Sequence, residues 1–442
     1  MNTIAAIATP KGVGAISIVR ISGDKALEIA KKLTKKELPP RIATLSKIYD
    51  YENSLIDIAL VIYFKGPNSF TGEDIVEFQC HGGYAVSKII LDTLFKYGVK
   101  PAAPGEFSKR AFLNGKIDAS QAEAIAKLIE TRSREGAKLL SRQLEGELSK
   151  FVDDVRERLI EIMAYSEVFI DYAEEDLPDT MNKDILYRLE KLKKLLTKTL
   201  EASKRREGML SGYKISIVGK PNVGKSSILN AFLNTNRAIV SDIAGTTRDT
   251  IEEDIQIGSH LLRIVDTAGI REAKDEIEKI GVIKSREAVE RSDIVLAVFD
   301  ANSFKSEDEE ILELIKNQKK DVIVVINKTD NGISIDLDKF KDFETVKISA
   351  KEDISPLVKK IEELLDNYSS EEYYVLISTR QVHAVENALK EIGFSEEFLA
   401  TGELELFSYH IQNAIREISS ITKTFEYDEM LEKIFGSFCV GK

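Results

Sequence analysis

The chain has 442 residues, 43% of them hydrophobic and 31% charged, and a formal net charge of −12. That length calls for several domains, and the composition fits a globular protein rather than a disordered, fibrous or membrane-spanning one. Two cysteines, Cys80 and Cys439, rule out a disulfide framework. The scattered histidines and the lack of a Cys-x-x-Cys argue against structural zinc, and the acidic balance argues against bulk attraction to nucleic acid or anionic membrane.

No apolar stretch approaches membrane-spanning length, and no basic region precedes the first apolar residues, so a cytoplasmic protein is expected. Residues 1–117 mix strands (Ile4–Ala8, Ala15–Ile21, Ile58–Phe64) with helices (Asp24–Leu33, Tyr84–Tyr97), the pattern of an α+β domain. Residues 118–208 read as helical. Leu144, Leu148, Phe151, Val155, Leu159 and Ile162 form one apolar stripe; Ile185, Leu189, Leu192, Leu196 and Leu200 form a second, beyond the acidic break 174–178. Arg134, Lys138 and Arg142 share a helix face that reads as solvated. Residues 209–368 alternate strands and helices. In 369–442 the helical stripes return, through Leu404, Phe407, Ile411, Ile415 and Ile418, then Tyr427, Leu431, Ile434 and Phe438. Single-striped helices must bury that stripe, so the helical segments flanking 209–368 are expected to pack together around an inserted α/β domain.

The inserted segment carries five signatures in order. Tyr213–Val218 reads as a buried strand and Ser227–Leu233 as the start of a helix. Between them lies Gly219-Lys220-Pro221-Asn222-Val223-Gly224-Lys225-Ser226, the phosphate loop G-x-x-x-x-G-K-[ST]. Its glycines let backbone N–H groups face phosphate, the helix N-terminus adds partial positive charge, Lys225 suits the β- and γ-phosphates, and the Ser226 hydroxyl suits Mg²⁺. Gly245-Thr246-Thr247 follows. Asp266-Thr267-Ala268-Gly269 comes after the apolar run Leu261–Val265: Asp266 suits a water-mediated hold on Mg²⁺, and Gly269 a backbone contact to the γ-phosphate. Asn327-Lys328-Thr329-Asp330 ends another buried strand, where Asp330 can accept both guanine N1–H and N2–H₂, and Ser349-Ala350 closes the set. These residues specify a GTPase.

Ile270 stands where Ras-like GTPases keep a water-orienting glutamine, so hydrolysis needs another device. Asn222 could present its amide oxygen to a monovalent cation, or be a turn residue. Glu278 could orient water, or be a solvated carboxylate. Spacing leaves both pairs of readings open.

Further residues extend a resemblance over nearly the whole chain. They are Thr3-Ile4-Ala5-Ala6, Ala8-Thr9-Pro10, Ser69-Phe70-Thr71-Gly72-Glu73-Asp74, His81-Gly82-Gly83, Pro104-Gly105-Glu106-Phe107, Arg110-Ala111-Phe112-Leu113-Asn114-Gly115-Lys116, the run Ser241-Asp242-Ile243-Ala244-Gly245-Thr246-Thr247-Arg248-Asp249, and the tail Cys439-Val440-Gly441-Lys442. With the GTPase signatures they resemble the bacterial MnmE (TrmE) family of tRNA modification GTPases. The resemblance implies an N-terminal folate-binding-like domain that forms a homodimer, an all-α helical bundle, and an inserted Ras-like P-loop domain. It implies work with a flavoprotein, MnmG (GidA), which carries FAD, on carbon 5 of the wobble uridine of certain tRNAs, with the one-carbon unit drawn from a 5-formyl- or methylene-tetrahydrofolate. By the same resemblance Arg20, Glu77, Lys116 and Lys442 match folate-contacting positions. Asn222, Ser241, Ile243 and Thr246 match a K⁺ site, Ser226 and Thr247 the Mg²⁺ ligands, and Glu278 the water-positioning residue. The GTP-binding set is Asn222, Val223, Gly224, Lys225, Ser226, Ser227, Ser241 to Thr247 (Asp242 and Ala244 included), Asp266, Thr267, Ala268, Gly269, Asn327, Lys328, Asp330, Ser349 and Ala350. Cys439 is expected beside the reacting one-carbon unit. A ribosome-assembly GTPase is the competing reading; it would need an RNA-binding module, and none is evident. A passive GTP-binding scaffold is disfavoured by Glu278 and the intact Thr247.

Overall fold

The computed structural model describes residues 2–10, 12–171, 180–236, 253–265, 286–316, 318, 320–369, 374–423, 434–436, 438 and 441. Its contacts divide into two units, residues 1–126, 143–186 and 390–442, and residues 127–142 and 187–389.

The first unit is built on a six-stranded sheet in the order β3-β4-β5-β2-β1-β6. Its strands are β1 (Ile4–Ile7), β2 (Ile16–Ser22), β3 (Thr44–Tyr49), β4 (Leu55–Phe64), β5 (Ile75–His81) and β6 (Lys100–Pro101). All pairs are antiparallel except β1 with β6. Strand alternation sends Val19, Ile21, Val76 and Phe78 to one face, where they form a core with Leu33 of α1 (Ala26–Thr34) and Ile90 of α2 (Tyr84–Lys96). The opposite face keeps Ile16, Leu45, Ile58 and Leu60 exposed. Arg20 and Glu77 are direct partners across β2 and β5. Arg20 stands two and four residues from Ile18 and Ile16, so it and its partner Glu77 share that second face.

Helix α3 (Glu106–Leu113) follows β6, and α4 (Ala119–Glu130) opens on a reciprocal cap. Asp118 Oδ1 accepts from the Gln121 N–H, and Gln121 Oε1 accepts from the Asp118 N–H, both at 2.9 Å. The expected stripe from Leu144 to Ile162 is not one helix. Leu144 closes α5 (Arg134–Leu144), and Gly146 turns at φ 84 before α6 (Glu147–Asp171) begins. Leu148, Phe151, Val155, Leu159 and Ile162 of α6 are buried as expected.

In the second unit the main sheet runs β12-β11-β10-β7-β9-β8. The strands are β7 (Tyr213–Val218), β8 (Glu253–Ile257), β9 (His260–Ile264), β10 (Ile294–Asp300), β11 (Asp321–Asn327) and β12 (Glu344–Lys347). Only β8 is antiparallel to its neighbour. The central strands are buried on both faces, which is why they read as unbroken apolar runs. Helix α7 (Thr180–Ser203) buries Leu189, Leu192 and Leu196 here, with Leu200 half-buried, and α8 (Arg206–Ser211) leads into β7. Helices α9 (Lys225–Asn236), α10 (Ser306–Lys316) and α11 (Ser355–Ser369) accompany the sheet, and α12 (Thr379–Thr401) follows. Within the first unit, α13 (Leu404–Ser419) packs on α6, where the Ser166 and Ser408 hydroxyls lie 3.1 Å apart. No helix among the described residues is long and apolar enough to cross a membrane.

Candidate functional site

The connection order places the sheet's reversal between β7 and β10, and the phosphate loop leaves the carboxyl end of β7 at that point. Three of its residues have positive φ: Gly219 at 152, Asn222 at 63 and Gly224 at 104. A β-carbon on Gly219 would come within 2.4 Å of the Val298 carbonyl, and one on Gly224 within 2.1 Å of Asn327 Nδ2. Both positions therefore require glycine. Asn222 is exposed and left-handed, a conformation asparagine tolerates.

Lys225 opens α9 and folds back over the loop, its Nζ donating to the Gly219 carbonyl at 2.6 Å and the Lys220 carbonyl at 2.8 Å. Burial pulls its pKa down to about 8. A buried ammonium held, among the described residues, by neutral carbonyls alone is a site made for an anion. Ser226 and Ser227 follow on the first turn of α9, both exposed, and Val223 is fully buried under the loop.

Asn327 is the last residue of β11 and is almost wholly buried. Its Nδ2 donates to the Val223 carbonyl at 2.8 Å, and its Oδ1 accepts from the Ala350 N–H at 2.9 Å. One side chain thus ties the phosphate loop to the Ser349-Ala350 turn. Lys328 is left-handed, and its Nζ pairs with Asp300 Oδ2 at 2.6 Å. Burial works to raise the Asp300 pKa, but hydrogen bonds from Lys328 and the Asn302 N–H outweigh it and hold the carboxyl below its usual range. Asp330 is exposed and makes no side-chain bond among the described residues, while the Ser349 hydroxyl is buried with no partner. The donor set therefore fits a purine nucleotide: an anion cradle at one end, an unused carboxylate and an orphaned hydroxyl at the other. A cavity of about 600 Å³ between α9 and α11 continues from Ser227 and Ala350.

Ser241, Asp242, Ile243, Ala244, Gly245, Thr246 and Thr247 lie outside the described residues, as do Asp266, Thr267, Ala268, Gly269, Ile270 and Glu278. Among the described residues no cluster of His, Cys, Asp or Glu forms a metal site, and of the expected cation ligands only Asn222 and Ser226 belong to them.

In the first unit Arg20 and Glu77 pair, with Nε and Nη2 of the arginine 2.9 and 2.8 Å from Glu77 Oε1. The guanidinium stands 5.9 Å from the Phe70 ring centre and 5.6 Å from that of Phe107. The Lys116 side chain runs past Gly72 in the neighbouring loop. That loop is fixed by a cluster the sequence did not reveal. Buried Arg110 donates through Nη1 to both Glu73 oxygens at 3.1 and 3.0 Å, and through Nη2 to Glu106 at 2.7 Å. The signal available was the four-residue spacing of opposite charges at Glu106 and Arg110.

Cys439 and Lys442 are outside the described residues, but Gly441 is not. It is buried at φ 103, and a β-carbon there would lie 2.4 Å from the Ile7 carbonyl of β1. Phe435 and Phe438 pack beside Ala122 and Phe112, and Gly105 lies against the Phe435 carbonyl. Gly441 is therefore seated against β1 of the N-terminal sheet, one strand from Arg20, whose register partner on β1 is Ala6.

The parallel sheet, the glycine cradle and the Asn327 bridge define a P-loop nucleotide-binding protein of the GTPase class. Residues 3–116 match the family described as GTP-binding protein TrmE N-terminus, and residues 120–439 match the MnmE helical domain. The tRNA modification GTPase MnmE of Aliarcobacter butzleri is 56% identical over 444 residues, covering 100% of this chain and 99% of the relative. That of Sulfurimonas denitrificans is 55% identical over 450 residues with the same coverage. Among solved structures, the FeoB G-domain from Methanococcus jannaschii matches 36% of this chain and 98% of its own at 23% identity, with a TM-score of 0.25. The chain belongs to the MnmE (TrmE) family of tRNA modification GTPases.

Proposed function

We propose that the chain is a potassium-activated GTPase that works as a homodimer with a flavoprotein of the MnmG type. Together they modify carbon 5 of the wobble uridine of certain tRNAs, with a one-carbon unit from tetrahydrofolate. The observation that carries the nucleotide half is the bridge from Asn327 to Val223 and Ala350, which fixes the phosphate loop and the base-side turn as one frame. In that frame Lys225 meets the β- and γ-phosphates, Asp330 reads the guanine edge, and Ser226 with Thr247 holds Mg²⁺, which neutralises phosphate charge. Asn222, with Ser241, Ile243 and Thr246, holds K⁺ in the role an arginine finger fills elsewhere, and Glu278 orients the attacking water.

The folate half is supported by the Arg20–Glu77 pair under two aromatic rings and by the seat of Gly441. A carboxylate can accept from adjacent pterin N–H groups and a guidinium can hold a glutamate tail. Exposed Ile16, Leu45, Ile58 and Leu60 on that same face supply apolar surface of the kind a dimer covers. Mass spectrometry of wobble uridines from cells lacking the protein tests the reading; unchanged modification refutes it. Glu278→Ala separates hydrolysis from binding, with GTP affinity kept and turnover lost, since a water-orienting group acts mainly in the transition state.

A further inference from the structure

Lys220 is the first residue after Gly219, inside the phosphate loop, yet its side chain turns away from the cradle. Its Nζ pairs with Asp308 Oδ2 at 2.5 Å and donates to the Ser303 carbonyl at 2.9 Å. The pair is hidden from water, the Lys220 side chain 9% exposed and that of Asp308 1%. Asp308 lies on the first turn of α10, and its Oδ2 also accepts from the Lys305 N–H at 2.8 Å. Its Oδ1 is buried without a hydrogen-bond partner among the described residues. Removing either member of such a pair leaves an uncompensated charge in a dry place.

The backbone of Lys220 faces the other way. Its carbonyl is one of the two that hold Lys225 Nζ. One residue therefore joins α10, through its side chain, to the phosphate-binding lysine, through its peptide. The loop needs such a tie. Three positive-φ residues in six positions leave it with little conformational preference of its own. We infer that Asp308 is a positioning residue for the phosphate loop and acts through Lys220. It holds the Gly219-Lys220 carbonyls where Lys225 waits for phosphate, and it neutralises a second ammonium that would otherwise stand unpaired beside the cradle. Neither residue belongs to the nucleotide-contacting set.

The test uses the full-length chain and mant-GDP, a fluorescent GDP. Dissociation constants and release rates are measured for the wild type, Asp308→Asn, Lys220→Met, the double variant and Lys220→Arg, at a temperature where each is folded by circular dichroism. Asp308→Asn and Lys220→Met should each weaken binding about tenfold, roughly 1.4 kcal/mol, mostly through faster release. The double variant should be no weaker than either single, and Lys220→Arg, which keeps the pair, should restore tight binding. A purely structural pair would lower melting temperatures and leave the release rate of folded protein unchanged; that result, or additive effects in the double variant, overturns the inference. It rests on nucleotide binding by this loop. A wild-type chain that fails to bind mant-GDP overturns that reading, whereas wild-type binding matched by the variants overturns this inference alone.

Discussion

Asn327 Nδ2 occupies the space that a side chain at Gly224 would need, 2.1 Å from where a β-carbon would stand. The glycine of one signature is thus required by the asparagine of another. Gly224→Ala must expel the amide from Val223 and also strain a φ of 104. Losing the bond and forcing the backbone cost about 2–4 kcal/mol together, so GDP affinity should fall by at least about thirtyfold. Titration calorimetry checks this; affinity near wild type would mean that the bridge does not frame the site.

The cation reading of Asn222 has a cleaner test than alanine. At φ 63 an alanine adds backbone strain, while glycine accepts the turn and removes only the amide oxygen. Asn222→Gly should bind GTP normally and lose the rise in turnover when K⁺ replaces Na⁺. A preserved K⁺ response leaves Asn222 as a turn residue and nothing more.

The pH dependence of binding follows from Lys225. Free, it loses its proton at about 8 rather than 10.5 because it is buried. Bound phosphate favours the charged form, so binding takes up a proton above pH 8, and affinity should fall roughly tenfold between pH 7 and 9. Stability of the nucleotide-free protein moves oppositely. Between about 8 and 10.5 the unfolded chain keeps a proton that the folded one has lost, so this group's contribution to stability rises with pH. Proton uptake measured calorimetrically in two buffers at pH 8.5 checks the sign; none would place the ammonium in solvent.

The N-terminal pair predicts a ligand effect without a nucleotide effect. Glu77→Ala removes the carboxylate that faces Arg20 and should abolish tetrahydrofolate binding in calorimetry. GTP turnover should stay within about twofold of wild type, because independent sites behave additively. Folate binding at wild-type strength would assign the pair to the sheet alone.

Gly441 offers a point test of the tail. Gly441→Val drives a side chain into the Ile7 carbonyl and should unseat the tail. Wobble-uridine modification should be lost while GTPase turnover stays near normal, and truncation after Phe438 should give the same result. Modified tRNA from cells carrying either variant would make the tail structural only.

The nucleotide frame was legible because its signals are local. A buried parallel strand reads as an apolar run, and the glycines and lysine of the loop follow within eight residues of it. Periodicity failed at Leu144 for a plain reason: a four-residue step to Leu148 keeps its phase across the turn at Gly146, so two helices looked like one. The Lys220–Asp308 pair spans 88 residues and depends on which way a loop side chain turns, and nothing in the pattern reports that. Arg20 and Glu77 drew attention through family resemblance; only strand register shows that they face each other.

The contact of Gly441 with Ile7 also sets a timetable. Ile7 is added to the growing chain roughly 430 residues before Gly441, which at ordinary translation speed is on the order of 20–90 s. During that interval the strands of the N-terminal sheet can pair and bury their core, while the carbonyl of Ile7 waits for a chain segment not yet made. A nascent chain could therefore acquire its GTP-binding domain well before its tail is seated. Ribosome-bound chains stalled shortly before residue 441 would separate the two steps in time.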